Sequence, residues 1–326
     1  MGSKALWEIL TASGFKPEVV DSILEALESV KGGKIRLDMQ SIWYGKLRSI
    51  YGYHNTTRWD FGHKKVEALL QALLLDAGIQ KDQVMVYFDG DPCLEKQDTS
   101  EKRHSDQQKE LEKANTKADE LVRRNNNNEP ISNNQFTAVH RHLSASFNLP
   151  LAIREDCCRY LREQGWYARV SRFEADTQIA RECGPQDVVL SRDGDMFGFK
   201  TINTILKPIS RDRFLLYDVN KVAETAGVSR DGLTAFIAAN ANDYDPNVRK
   251  IGSVTSLRII KELEAKREQQ AINEAEELVD GQAGGFVPDN ESNGEDIDIG
   301  LGKKGTSLII DRCCVQRKKR LVPSSQ

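Results

Sequence analysis

Two short apolar runs that each end on an aspartate decide the fold: Lys34-Ile35-Arg36-Leu37-Asp38 and Val84-Met85-Val86-Tyr87-Phe88-Asp89. Between them, residues 63–78 place apolar side chains at helical spacing, and the helix they predict ends at Gly78. A strand, a helix and a second strand in this order predict a βαβ unit with two parallel strands. Asp38 and Asp89 would then lie together at the carboxyl edge of the sheet, where open α/β sheets keep their functional sites.

Five further carboxylates are expected at the same edge. Glu174 and Asp176 open a helix-like segment, Asp193 and Asp195 follow another apolar run, and Asp243 lies farther along the chain. Any one of these side chains alone is more often a turn or cap residue. Many carboxylates at one point raise each other's pKa and need a cation, and oxygen-only ligands suit Mg²⁺ or Mn²⁺. The set as a whole therefore predicts a metal site.

The remaining pattern predicts an α/β fold, a mostly parallel twisted sheet flanked by helices with a helical insertion and a helical C-terminal cap. Further strands are predicted at residues 166–170 and 187–190, with a hairpin at 201–206 and 213–217. Helices are predicted at residues 5–30 (as one or two), 41–51, 95–124, 133–147, 155–164, 175–183, 219–226, 229–239 and 253–267. Residues 268–326 lose periodicity, and we expect them to be largely disordered.

Composition excludes several classes of protein. The longest apolar run of the 326 residues is far shorter than a membrane span needs, and the N-terminus has no signal-peptide core, so no membrane association is expected. Six cysteines without a Cys-x-x-Cys pair indicate reduced thiols in an intracellular protein. The net charge of −3 is unevenly distributed along the chain. Residues 264–299 contain eleven acids and two bases, a net charge of −9, and the rest of the chain has a net charge of +6. A basic body around a local acidic site is typical of proteins that cut phosphodiesters.

Six motifs in order resemble those of one family. They are Met1-Gly2-x-Lys4-x-Leu6-Trp7, the run ending at Asp38, Val86-Tyr87-Phe88-Asp89-Gly90-x-Pro92, Glu174-Ala175-Asp176-Thr177-Gln178, Ser191-Arg192-Asp193-Gly194-Asp195, and Asn242-Asp243-Tyr244 followed by Val248-Arg249-Lys250-Ile251-Gly252. Together they resemble the flap endonuclease/XPG-type structure-specific 5′ nucleases, which are built on a PIN-like α/β domain. The resemblance covers about residues 1–263.

The resemblance implies a role for each site residue. Two divalent ions, Mg²⁺ with Mn²⁺ able to substitute, would be held by Asp38, Asp89, Glu174, Asp176, Asp193, Asp195 and Asp243. Lys96 and Arg103, seven and fourteen residues after Asp89, would be the catalytic cations, although a solvated helix face is the alternative for both. Nucleic acid would contact Tyr44, Gly2, Arg249, Lys250 and Gly252, with a core position as the alternative for Tyr44.

The same resemblance implies three regions. Residues 1–217 would form the nuclease domain, with a helical arch at about 95–148 through which a single strand passes. Residues 218–267 would form a DNA-binding helix–two-turn–helix, and residues 268–326 an acidic and then basic tail. Two departures from the family pattern weaken this comparison: Ala5 replaces a glycine, and Lys250-Ile251-Gly252-Ser253 replaces Gly-Ile-Gly-Pro in the duplex-binding hairpin.

The implied activity is two-metal hydrolysis of DNA where a duplex meets a single-stranded 5′ end, in repair or replication. The alternatives are a PIN-like ribonuclease, which acts on RNA, and a catalytically silent nucleic-acid-binding scaffold. We expect a monomer, and the tail has no sliding-clamp peptide of the Gln-x-x-hydrophobic-x-x-aromatic-aromatic kind. The basic cluster Arg317-Lys318-Lys319-Arg320 predicts nuclear localisation, with the cytoplasm as the alternative.

Overall fold

The structure is a computed structural model that describes residues 4–52, 59–93, 96–210, 213–240 and 252–282. Residues up to Asn273 belong to one compact unit, and only the end of one helix is described in the second unit, Glu274–Gln326. Within the described ranges the helices are α1 (Lys4–Ala12), α2 (Ile23–Ser29), α3 (Met39–Tyr51), α4 (Trp59–Leu70, continued by a π-helical turn, Gln71–Leu75), α5 (Gln97–Asn126), α6 (Asn133–Ala145), α7 (Leu151–Glu163), α8 (Ala175–Glu182), α9 (Val219–Ala226), α10 (Arg230–Ala239) and α11 (Ser253–Gln282).

Seven described strands form one mixed sheet. They are β1 (Glu18–Val20), β2 (Ile35–Asp38), β3 (Val84–Phe88), β4 (Tyr167–Val170), β5 (Val188–Leu190), β6 (Thr204–Pro208) and β7 (Phe214–Asp218), in the order β1-β7-β6-β5-β2-β3-β4. The four pairs among β2 to β6 are parallel, and the two pairs made by β7 are antiparallel. The mostly parallel α/β sheet and the β6–β7 hairpin are therefore confirmed.

The strand order reverses beside β2. The chain goes from β2 to β3 and β4 on one side, and then returns to place β5 and β6 on the other side. Open α/β sheets bind their ligands at the carboxyl ends of the strands at such a switch point. Asp38 at the end of β2 and the residues after β5 lie at this point, which is where the sequence predicts the site.

Alternating side chains pack on the two faces of the sheet. Ile35 and Leu37 of β2, with Val84 and Val86 of β3, join a core cluster formed with α2, α3, α4 and α7. Tyr87 of β3 instead joins a second cluster formed with α1, α8, α9 and α10. This period of two is what a sheet covered by helices on both faces requires, because successive strand side chains point to opposite faces.

Two predictions about the ends of the described region are wrong. Residues 5–30 are not helical throughout, because β1 lies between α1 and α2 and its Val20 pairs with Phe214 of β7. β-branched valines suit that strand, and Ser22 caps α2 by accepting from the Glu25 N–H.

At the other end, α11 continues to Gln282, past the predicted end at residue 267 and into residues expected to be disordered. The segment is rich in Glu, Gln and Ala, whose high helix propensity needs no apolar face. None of the described helices combines the length and the apolar character that a membrane span requires.

Candidate metal-binding site

A cleft of about 1120 Å³ lies at the carboxyl edge of the sheet, at the switch point. The first turns of α5 form one wall, and the ends of β2, β3 and β5 with the start of α8 form the other. Eight of the predicted site residues line it: Asp38, Asp89, Glu174, Asp176, Asp193, Lys96, Arg103 and Tyr44. Tertiary folding thus collects side chains that are spread over more than one hundred and fifty residues of sequence.

Asp38 is held at the end of β2 by two donors. Its carboxylate caps α3 by accepting from the Ser41 N–H at 3.1 Å, and it accepts from the Ser191 hydroxyl at 3.0 Å. The same Ser191 oxygen accepts from the Asp193 N–H at 3.0 Å. A single buried hydroxyl therefore joins the carboxylate after β2 to the turn that carries Asp193 after β5.

Asp89 belongs to a tightly packed turn after β3. Its carboxylate accepts from the Ala175 N–H at 2.8 Å, which links it to the start of α8. The Arg154 guanidinium of α7 donates to the backbone carbonyls of Asp89 and Gly90, the latter at 3.0 Å. A Cβ on Gly90 would lie 1.9 Å from the Ser171 carbonyl oxygen, so only glycine fits there. The close approach of the Ser171 carbonyl explains why a glycine follows Asp89.

Lys96 lies at the start of α5 and is buried, with 7% of its surface exposed. Its ammonium forms an ion pair with Glu174, the residue before α8. The solvated-face alternative is therefore excluded for Lys96. Arg103, two turns farther along α5, is exposed and lines the cleft, so both cations lie on the wall that faces the carboxylates.

Burial and mutual repulsion raise the pKa values of three cleft carboxyls. The pKa of Asp38 is well above its ordinary value, first because the group is buried and then because Asp89 is close. Burial and the charge of Glu174 also raise the pKa of Asp89, although the Ala175 N–H opposes the shift, and they raise that of Asp176 to about 6. Lys96 lowers the last two pKa values and offsets part of the repulsion.

The donor set fits a hard divalent cation. The acidic side chains of the cleft offer oxygen ligands, which hard divalent cations prefer. A cation among them would relieve the repulsion that raises their pKa values. Within the described residues, no three His, Cys, Asp or Glu side chains already form a group that could hold an ion. Glu174 instead meets Lys96, so this carboxylate would have to exchange its lysine partner for a metal.

Tyr44 on α3 has features of both alternatives, a core residue and a residue that stacks on a base. Its hydroxyl donates to the Phe147 carbonyl at 2.7 Å, and its ring meets that of Phe147 edge to face, with centroids 5.6 Å apart. The side chain remains 41% exposed at the cleft wall. An anchored hydroxyl and a free ring surface suit stacking, which stays a prediction.

Two of the predicted site residues that the structure describes, Asp195 and Gly252, do not line the cleft. Asp195 lies in the short 3₁₀ turn after β5, and its N–H donates to the Asp193 carboxylate at 3.0 Å. Gly252 directly precedes α11, and among the described residues no heavy atom beyond its chain neighbours lies within 4 Å of the position a Cβ would take. Gly2, Asp243, Arg249 and Lys250 lie outside the described residues, so their roles stay predictions.

The sequence did not reveal four residues that support the site. Ser41 and Ser191 hold Asp38, and the Gln40 side-chain oxygen accepts from the Asp89 N–H at 2.6 Å. Arg154 clamps the Asp89 turn from α7. Ser191 stands beside the Asp193–Asp195 motif and could have been suspected from that position, whereas nothing in the sequence around Arg154 signals its role.

The fold and the cleft define an α/β protein with an acidic, lysine-flanked site at the switch point of its sheet. No protein-family model matches the chain. It is 26% identical to flap endonuclease 1 of Glycine max over 275 residues, which cover 80% of this chain and 66% of that protein. It is 27% identical to flap endonuclease 1-B of Sorghum bicolor over 195 residues, covering 58% of this chain and 42% of that protein.

A third curated relative, flap endonuclease 1-B of Physcomitrium patens, is 29% identical over 114 residues, 33% of each chain. The chain thus spans between about a third and two thirds of the length of these relatives. Among solved structures, flap endonuclease-1 from Methanococcus jannaschii is similar with a TM-score of 0.47 and 18% identity, over 77% of this chain and 76% of that one. The curated relatives confirm the sequence resemblance to the flap endonuclease/XPG superfamily.

Proposed function

We propose that this protein is a metal-dependent, structure-specific nuclease that hydrolyses phosphodiester bonds in DNA where a duplex meets a single-stranded 5′ end. The observation that carries the proposal is the single cleft in which five carboxylates face Lys96 and Arg103. The similarity to proteins named flap endonucleases supports the choice of reaction and substrate. Processing of such ends during repair or replication is the corresponding cellular role.

Two divalent cations, Mg²⁺ or Mn²⁺, would supply Lewis acidity and a nucleophilic water at the scissile phosphate. Asp38, Asp89, Glu174, Asp176 and Asp193 would hold them from the cleft, with Asp195 and Asp243 as the remaining predicted ligands. Because burial raises the pKa values of Asp38, Asp89 and Asp176, these groups bind protons and cations in competition. The chain's part in this chemistry is to hold those oxygens in fixed positions, where a bound cation would favour their ionised form.

Lys96 would act on the phosphate from the opposite wall. Its ammonium is buried and held by Glu174, so it is already desolvated and aimed into the cleft. A phosphate oxygen that gains negative charge during hydrolysis would be stabilised by this ammonium and by Arg103. Fixed donors in a partly buried site stabilise such charge better than mobile surface side chains do.

The α5–α6 hairpin and Tyr44 would select the shape of the substrate. α5 carries seven acidic and seven basic residues, so the helix does not bind a polyanion through its net charge. The cations that would contact the phosphate are instead Lys96 and Arg103, in the first turns of α5 and in the same cleft as the carboxylates. A base freed from the end of the duplex could stack on Tyr44, worth about 1–3 kcal/mol per base. Such a site would favour an unpaired end over an internal base pair.

The test is cleavage of 5′-labelled flap, bubble, blunt-duplex and single-stranded DNA and of an RNA flap, with Mg²⁺ and with EDTA. Asp193→Asn should abolish Mg²⁺-dependent cutting near the junction. Asp82→Asn is the matched control, because Asp82 is an exposed aspartate in the 3₁₀ turn that precedes β3, at the amino ends of the parallel strands.

The outcomes separate the alternatives. Flap binding without cutting, unchanged by Asp193→Asn, would overturn the enzyme and favour a nucleic-acid-binding scaffold. Cutting of RNA alone would keep the site and replace the substrate. Equal loss of activity in Asp193→Asn and Asp82→Asn would contradict placement of the chemistry in this cleft.

A further inference from the structure

Lys207 on β6 lies in an aromatic box behind the acidic site. Its ammonium nitrogen is 4.4 Å from the ring centroid of Trp7, 5.1 Å from that of Phe197 and 5.9 Å from that of Tyr217. The three rings also pack against one another, with centroid separations of 5.4, 5.6 and 5.3 Å. The negative faces of aromatic rings attract a cation, so this cluster is built to hold an ammonium group.

The same ammonium faces the turn after β5. It donates to the Arg192 carbonyl at 3.3 Å, directly before Asp193. The charges of Asp193 and Asp195 both stabilise its protonated form, while burial acts against them and lowers the pKa of Lys207 to about 8. The side chain therefore links the aromatic cluster on one side to two predicted metal ligands on the other.

Lys207 does not line the cleft that would hold the phosphate, unlike Lys96 and Arg103. Its position therefore gives it no contact with a substrate in that cleft. The carboxylates of Asp193 and Asp195 favour the charged form of Lys207, so its ammonium offsets part of the negative charge of the turn.

We propose that Lys207 is a positioning residue that serves as the built-in counter-cation of the Asp193–Asp195 turn. It neutralises this pair when no divalent ion is bound and holds the Arg192 carbonyl in place from behind. The proposal rests on the metal site of the proposed function. Because Lys207 is itself a cation, it also repels a divalent ion held by the same two carboxylates.

This double role predicts effects of opposite sign. Removing the charge should destabilise the metal-free protein, because two carboxylates lose their counter-charge. It should also tighten divalent-ion binding, because the ion no longer competes with an ammonium group. A side chain that only fills space behind the turn would weaken both properties together.

The experiment compares Lys207→Met, which keeps the length and apolar packing, with Lys207→Gln, which is neutral but can still donate a hydrogen bond, and with Lys207→Arg, which keeps the charge. Lys200→Met is the matched control, because Lys200 is partly exposed and pairs with Asp231 instead of the acidic turn. Thermal unfolding is followed in EDTA, and Mn²⁺ and Mg²⁺ affinities are measured by calorimetry without DNA.

We expect Lys207→Met and Lys207→Gln to lower the unfolding temperature in EDTA by about 2–4 °C. Both should bind Mn²⁺ about three- to tenfold more tightly than the unsubstituted protein, as expected for loss of one nearby unit charge. The Mn²⁺ affinities of Lys207→Arg and Lys200→Met should stay within about twofold of that of the unsubstituted protein.

Equal or weaker Mn²⁺ binding by both neutral variants would overturn the counter-cation role and leave the proposed nuclease intact. Absence of any ion binding by the unsubstituted protein would instead overturn the metal site, and this inference with it. If Lys207→Met does not fold, Lys207→Gln decides between the outcomes, since it retains a donor for the Arg192 carbonyl.

Discussion

Replacement of Ser191 by alanine should loosen the link between the two halves of the acidic site. Ser191 is fully buried, donates to the Asp38 carboxylate at 3.0 Å and lies 3.0 Å from the Asp193 N–H, which donates to it. A hydrogen bond to a charged group contributes about 1.5–3 kcal/mol, and the substitution removes one such bond and leaves a backbone donor without its acceptor. We therefore expect the free energy of unfolding to fall by about 2–3 kcal/mol at a pH where Asp38 is ionised.

The size of this loss should depend on pH. Burial and Asp89 raise the pKa of Asp38, and the Ser191 hydroxyl lowers it, so Ser191→Ala should raise that pKa further. A carboxyl whose folded-state pKa is raised favours folding below its unfolded-state pKa, and that contribution is lost as pH rises through the folded-state value. Once Asp38 is protonated, the lost hydrogen bond is a neutral one, worth about 0.5–1.5 kcal/mol.

The assay is urea unfolding in EDTA at several pH values from mildly acidic to slightly alkaline. The control is Ser171→Ala, because Ser171 is also buried at this edge of the sheet and its hydroxyl has no hydrogen-bond partner within the described structure. That control should change the free energy of unfolding by less than about 0.5 kcal/mol. The same small loss for both variants, or a loss for Ser191→Ala that does not vary with pH, would refute the reasoning.

Three further predictions concern the same edge of the sheet. Gly90→Ala should lower the free energy of unfolding by at least about 3 kcal/mol in urea titrations, because its Cβ meets the Ser171 carbonyl, whereas Gly45→Ala, with open space around it, should not destabilise. Arg154→Gln should lower the free energy of unfolding by about 2–4 kcal/mol, because it loses hydrogen bonds to the backbone carbonyls after β3. The control is Arg159→Gln, which changes an exposed arginine on the same helix, and equal losses in the two variants would contradict a stabilising role for Arg154. Because burial and Glu174 raise the pKa of Asp176 to about 6, its contribution to stability in EDTA is full below its unfolded-state pKa and is lost as pH rises through about 6. Asp176→Asn should remove that loss from the curve of unfolding temperature against pH, and an unchanged curve would show that Asp176 is not the titrating group.

Local patterns in the sequence predicted the parts of the fold that depend on near neighbours. The apolar run before Asp89 matches β3 residue for residue, and the helix predicted at 229–239 is α10, which Ser229 caps by accepting from the Gly232 N–H. Such features follow from alternation, capping and backbone freedom, which act within a few residues.

Pairings across the sheet were not predictable in the same way. The pairing of β1 with β7 joins residues nearly two hundred positions apart, and residues 18–20 had looked helical because their apolar spacing also fits a helix. The length of α11 was missed for the opposite reason, since helix propensity without an apolar face leaves no periodic signal.

By itself the sequence determined most of the strands and helices, which faces are apolar, and that acids follow the strands, because periodicity and turn chemistry are local properties. Only the tertiary structure decided that Lys96 pairs with Glu174, that Ser191 joins Asp38 to Asp193, and that Lys207 faces Trp7. These contacts arise because the packing of helices on both faces sets the strand order, and the strand order brings distant side chains to one edge. No local pattern carries that information.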